Sequence, residues 1–186
     1  MSEYLIGAVA AALVNYWTLA REESADTMAR LKQAGCLGGA TVLVALKTAG
    51  LSYVLYYGVL SPLGMGAARV PLCFLTAFAC AWATGQLARN GAGAWAEFVE
   101  TRWPLVALNA AVLGAALYGV SPGVGFTGML LSAFGASAAF ALSLLSLTAI
   151  QARTDVDALP ESVRGFPALL LAAALISMAL TAFAGL

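Results

Sequence analysis

The chain has no histidine in its 186 residues. That removes the commonest metal ligand and the one side chain whose ordinary titration falls near neutral pH. Charge is scarce as well: nine basic and nine acidic residues cancel, so no basic field points to nucleic acid and no acidic one to cationic partners. The three cysteines, Cys36, Cys73 and Cys80, form no Cys-x-x-Cys pair. They stand in or beside apolar segments, where cysteine behaves as a small hydrophobe. No nucleophile–base pair, phosphate loop or metal-ligand spacing occurs, so no catalytic residue is expected. The acidic N-terminus, Met1-Ser2-Glu3, argues against a secretory leader, and the first apolar stretch is expected to stay as a membrane helix.

What the chain has in abundance is apolar side chains. They make up 62% of the residues, against 10% charged, and the mean hydropathy is +0.89. Such sparse charge cannot cover that much apolar surface in water, so the bilayer is the solvent. An all-α integral membrane protein follows, a single membrane domain over residues 1–186. Six spans are expected: Tyr4–Ala20, Ala34–Leu60, Val70–Leu87, Pro104–Val120, Phe126–Ile150 and Phe166–Leu186. At about 1.5 Å per residue the first and fourth are only just long enough for a core of about 30 Å, which predicts short or broken helices there. The second is long enough to end near Ala49 and continue along the interface, where Gly50 and the tyrosines Tyr53, Tyr56 and Tyr57 suit the headgroup level.

Basic residues set the orientation. The first connection carries Arg21, Arg30 and Lys32, the third Arg89 and Arg102, and the fifth Arg153 and Arg164, whereas the opposite side has Arg69 alone. Odd-numbered loops are therefore expected in the cytoplasm and both termini outside, in a multi-pass protein of the bacterial inner (cytoplasmic) membrane. Landmark residues recur along the chain. Asn109 follows Asn15 by 94 positions, and the Arg69/Pro71 pair is matched by Arg164/Pro167 at offsets of 95 and 96. Two three-helix repeats are expected, residues 1–90 and 100–186. An odd number of spans per copy inverts the second in the membrane.

Three polar side chains in the spans are the candidate site. An amide in hydrocarbon must be hydrogen-bonded, so Asn15 and Asn109 are expected to bond backbone freed at helix breaks or the partner repeat; simple interhelical glue is the plainer alternative. Lys47 is the one formal charge inside a span. It is expected either to reach the external interface from a helix ending near Ala49 or to meet a carboxylate of a neighbouring subunit, since no span holds an Asp or Glu. Together these three residues mark a mid-membrane or ion-path position. Small residues at Gly35, Gly38 and Gly39, and at Gly125, Gly128, Ala133, Gly135 and Ala136, allow close helix approach. Ser61–Gly66 is turn material, and Asp155–Glu161 a solvated acidic loop.

Several segments carry a family resemblance: Leu13-Val14-Asn15, Trp103-Pro104-Leu105 leading into Asn109-Ala110-Ala111-Val112-Leu113-Gly114, Val163-Arg164-Gly165, and more weakly Gly38-Gly39-Ala40-Thr41. In order and spacing the chain resembles the small six-helix membrane subunits of the Rnf and Na+-translocating NADH:quinone oxidoreductase complexes, the RnfA/RnfE and NqrD/NqrE type, nearest to RnfA. The resemblance implies two inverted repeats, each offering a cysteine from a half-helix. With a paralogous partner these hold one [2Fe-2S] cluster that carries electrons while the complex moves Na+ or H+.

This sequence departs from the pattern at both cysteines. Ala110 stands where the family has a cluster cysteine. In the first repeat, Arg21-Glu22-Glu23-Ser24-Ala25-Asp26 replaces the cysteine-bearing stretch, and Cys36, Cys73 and Cys80 fall elsewhere. Alanine cannot ligate iron. The expectation is a divergent membrane subunit of an ion-translocating electron-transport complex with no cofactor or metal held on this chain. At most it is a non-catalytic part of an oxidoreductase or translocase. Its partners would be lipid, a paralogous six-helix subunit, other members of the complex, or a second copy of itself. A stand-alone inverted-repeat transporter or channel, or a membrane scaffold, fits the same residues.

Overall fold

A computed structural model describes residues 9–16, 27–89, 91, 93–154 and 166–184. Those residues are helical, with tight turns and no strand among them. Residues 9–16 form α1; then come α2 (Thr27–Leu55), α3 (Arg69–Ala88), α4 (Ala94–Ala107), α5 (Ala110–Gly119), α6 (Phe126–Thr154) and α7 (Phe166–Ala184). Among the described residues, three continuous stretches are long and apolar enough to cross a membrane: Met28–Leu60, Gly66–Ala88 and Phe126–Gln151. Shorter apolar helices occupy Ala110–Gly119 and Pro167–Ala179. In a bilayer every backbone group must be satisfied within the protein, which leaves helices as the only open-chain solution. The chain is a multi-pass helical membrane protein.

The second span departs from expectation at both ends. Its helix starts at Thr27 rather than Ala34, and it does not stop near Ala49. It continues as α helix to Leu55 and then as one π-helical turn, Tyr56–Leu60. No proline or helix-capping break lies between Thr27 and Leu60, so nothing stops propagation there. The Ser61 N–H donates to the Tyr56 carbonyl and the Met65 N–H to the Leu60 carbonyl, five residues back in each case. Gly64, at φ 70°, supplies the left-handed residue that ends the run. Ser61–Gly66 is thus a turn, as its composition indicates. Asp155–Glu161, Arg21–Asp26 and Arg164 lie outside the described residues.

The fourth span is two helices, not one. Pro104 lies inside α4 instead of opening the span, and the helix bends at Arg102 (φ −116°, ψ 16°). Proline has no N–H for the carbonyl four residues back and crowds it, so a bend near this point is expected. At Asn109 the backbone becomes extended (φ −69°, ψ 124°) before α5 begins. The short-span expectation for this segment therefore resolves into a break.

The longest helices, α2 and α6, each have 29 residues and make the most extensive contact in the fold. Gly38 lies against Ala141 so closely that a Cβ on Gly38 would fall 2.9 Å from the Ala141 Cβ and 3.3 Å from its Cα. A small residue here lets two backbones meet, and dispersion between them substitutes for the hydrophobic drive that lipid does not provide. Around the crossing, Leu37, Val44, Phe140, Leu144 and Leu147 are fully buried in one cluster with Val9, Ala12 and Tyr16 of α1 and Val106 and Val112 of α4 and α5. The Tyr16 hydroxyl donates to the Gln151 side chain, fastening α1 to α6. On the other side α3 packs on α4. Gly85 makes room for Trp103, whose ring meets Phe78 edge-on at 4.9 Å, and Arg89 pairs with Glu100 at 3.0 Å.

Gly38→Leu is expected to push α2 off α6 and lower stability in detergent by about 1–3 kcal/mol. Gly35→Ala, where an added methyl meets nothing within 4 Å, should leave the melting temperature unchanged or slightly raised. Thermal unfolding of the two variants beside wild type checks the pair.

Candidate functional site

The break between α4 and α5 is built around Asn109. A helix end leaves carbonyls and N–H groups without intrahelical partners, and in hydrocarbon water cannot replace them. Asn109 is 1% exposed and answers this locally. Its Oδ1 accepts the Ala111 N–H at 3.0 Å, and its backbone carbonyl accepts the Val112 N–H at 3.0 Å, so it is the N-cap of α5. At the end of α4, Leu108 N–H reaches the Pro104 carbonyl and Asn109 N–H the Val106 carbonyl. The other end of the amide points away from its own helix: Nδ2 donates to Thr41 Oγ1 at 3.3 Å. Thr41 lies at the midpoint of α2 and is fully buried. One side chain therefore caps a half-helix and ties it to the middle of the longest helix.

Asn15 behaves differently. It is buried (5% exposed), and its Nδ2 donates to the Ala11 carbonyl one turn back in α1 at 2.8 Å. Asn109 thus bonds backbone at a break, as expected, whereas this bond of Asn15 stays within its own helix. Both asparagines flank the same buried cluster.

Lys47 is not at a helix end. It sits in mid-helix on the exposed side of α2, and its Nζ makes one long contact, 3.5 Å, to Thr84 Oγ1 on α3. Thr84 lies five residues from Arg89 and fifteen from Arg69. Lys47 therefore points towards the Arg89 end of the membrane rather than the Arg69 end assigned to the exterior. The helix does not stop near Ala49, so Lys47 does not extend from a helix end. Its contact goes to Thr84 rather than to either asparagine.

A polar seam between α2 and α3 was not anticipated. Ser52 and Thr76 share a hydrogen bond, Thr84 donates to the Cys80 carbonyl, and the buried Thr48 hydroxyl has no hydrogen-bond partner among the described residues. The signal lies in the sequence: Thr48 and Ser52 on one helix, and Thr76, Cys80 and Thr84 on the other, each recur every fourth residue. Such spacing puts them on one face.

The residues at the break do not fit a thiolate-held iron–sulfur cluster. Ala110, the first residue of α5, carries only a methyl group. Cys73 is sealed against Ala116 and Val120, and the described residues contain no group of three or more side chains able to hold a metal.

A half-helix capped inside the protein beside full-length apolar spans defines the class: a polytopic membrane protein with a discontinuous helix. No protein-family profile matches the chain. It is similar to the A component of the ion-translocating oxidoreductase complex of Aromatoleum aromaticum, 31% identical over 150 residues that cover 81% of this chain and 78% of the relative. The corresponding protein of Syntrophotalea carbinolica is 27% identical over 190 residues, covering 100% of this chain and 98% of that protein. The A component of the Na(+)-translocating ferredoxin:NAD(+) oxidoreductase complex of Acetobacterium woodii is 27% identical over 150 residues, 81% of this chain and 78% of the relative. The chain belongs to this family of Rnf-type membrane subunits, on the RnfA branch.

Asn109→Ala removes the cap and is expected to cost about 1 kcal/mol. Thr41→Val removes the interhelical acceptor together with the hydroxyl's own bond to the Leu37 carbonyl one turn back, and should cost about 0.6 kcal/mol. In the double variant the two losses should fall short of additive, since both break the same bond; unfolding of all four proteins in detergent measures that coupling.

Proposed function

We propose that the chain serves as the RnfA-type membrane component of an ion-translocating electron-transport complex, working beside other subunits that include a paralogous six-helix one. The single observation that carries this reading is the capped break at Asn109, set in a chain similar over its whole length to RnfA-type proteins. Side chains next to the buried asparagines face outward: Leu108 is 69% exposed, Ala110 is exposed, and Val14 beside Asn15 is 67% exposed. An interrupted helix is tolerated at membrane depth where protein surrounds it, which favours another subunit on this exposed side. A paralogue offering its own break is such a subunit.

On this reading residues 1–90 and 100–186 are inverted copies. The recurrence of the Asn15 position at Asn109, and of Arg69/Pro71 at Arg164/Pro167, supports it. The protein lies in the inner membrane with both termini outside and odd-numbered loops in the cytoplasm. Asn15 and Asn109 stand at mid-membrane as positioning groups for the broken helices. The chain contributes scaffold and passage for ions, not cluster ligands.

Purification from native membranes should recover the chain with other membrane subunits. The isolated chain, treated with iron and sulfide, should show only background iron and acid-labile sulfide; a stoichiometric cluster spectrum would overturn the ligand assignment, and a lone monodisperse protein the complex. For orientation, Met65→Cys should react with an impermeant maleimide from outside the cell and Glu97→Cys only after permeabilisation, in a background with Cys36, Cys73 and Cys80 replaced.

A further inference from the structure

Lys47 places a positive charge on the exposed side of a membrane-spanning helix, with no carboxylate beside it among the described residues. Arginines bracket α3, with Arg69 at its first residue and Arg89 just past its last. Its 20 residues span about 30 Å, the thickness of the hydrocarbon core. The Lys47 ammonium is held at Thr84, which the helical rise places about 7 Å inside the level of Arg89. A lysine that had extended to the headgroups would carry its charge at the level of Arg89; this one does not. Its side is open, too. Leu43, Leu51 and Val54 lie on the same exposed stripe of α2, 44%, 42% and 60% exposed, with Leu87 of α3 at 67%. A charge ringed by leucines on an outward face is costly unless an opposite charge meets it.

No such charge comes from the described residues. The ion pair they form is Arg89–Glu100, and the acidic residues among them are Glu97 and Glu100, both on α4. Thr84 does not neutralise the ammonium: its hydroxyl is a neutral acceptor, and the contact to Lys47, at 3.5 Å, is at the long limit of a hydrogen bond. The neighbouring polar groups along the seam are hydroxyls and thiols.

We infer that the α2–α3 face around Lys47 is the docking surface for a transmembrane helix of another subunit, one that presents an Asp or Glu to the Lys47 ammonium at the depth of Thr84. Charge complementarity selects the occupant. The leucines on either side give an apolar surface for a helix, and the ammonium fixes its height and rotation. This rests on the reading of the chain as part of a multi-subunit complex, and it names a second contact face on α2–α3 in addition to the break at Asn109.

The test is made in membranes that hold the whole complex. A benzophenone amino acid replaces Leu51 or Leu43, with Leu171 on α7 as the control position. Irradiation should join positions 51 and 43 to one helix of another subunit, within a turn of a membrane-embedded Asp or Glu. Lys47→Glu should lower that partner's recovery after detergent extraction about tenfold, Lys47→Arg should keep it, and replacing the partner carboxylate by lysine should restore recovery with Lys47→Glu. Adducts to lipid alone, to a helix without a carboxylate, or within this chain would overturn the inference, as would full recovery with Lys47→Leu. If the wild-type chain brings down no other membrane subunit, the complex reading fails; if it does and position 51 finds only lipid, this inference alone fails.

Discussion

Everything in this fold depends on one constraint: backbone amides have nothing to bond in hydrocarbon except the protein itself. Long helices satisfy it along their length. A helix that stops midway does not, and the chain meets that failure with a single asparagine, which closes the start of α5 with its oxygen and reaches α2 with its nitrogen. Neither serine nor aspartate could do both. Serine is too short to cap and cross, and an ionised carboxylate has no N–H to give and would bring a charge into the core. The break is therefore part of the packing and is held from two sides.

Around that point the interior is built from small residues more than large ones. Alanine, glycine and threonine line the contacts between α2 and its neighbours, and among the described residues the bulkiest fully buried side chain is Phe140. Close backbone approach then supplies the cohesion that water-driven burial would supply in a soluble protein. The larger apolar side chains point outward instead: Phe74, Phe78 and Trp82 on one helix and Leu131, Phe134 and Leu142 on another. They are suited to lipid tails or to other subunits, and the inside-out distribution is what the composition requires.

Much of this is legible in the residues alone. Apolar run lengths locate α3, α6 and α7 to within a few residues, because in a membrane segment hydrophobicity and helix coincide. The short fourth segment signals its own interruption. Two features escape such a reading. The second segment contains both Lys47 and a tyrosine cluster, which look like an end; with no proline or cap to stop it, the helix simply continues. The Thr41 partner of Asn109 is also hidden, since the two lie 68 positions apart and nothing local in either stretch announces the other. The seam on α2 and α3 is readable from its four-residue spacing, but threonines and cysteines in apolar helices attract little notice beside charges and amides.

The place where α2 and α6 touch has a mechanical consequence. Gly38 is three residues from the centre of one helix and Ala141 one residue from the centre of the other. This close contact is thus a fulcrum near the middle of both helices, with the longer arm of α2 on its Leu55 side. Tilting one rod against the other about such a pivot parts them at one face by as much as it brings them together at the opposite face.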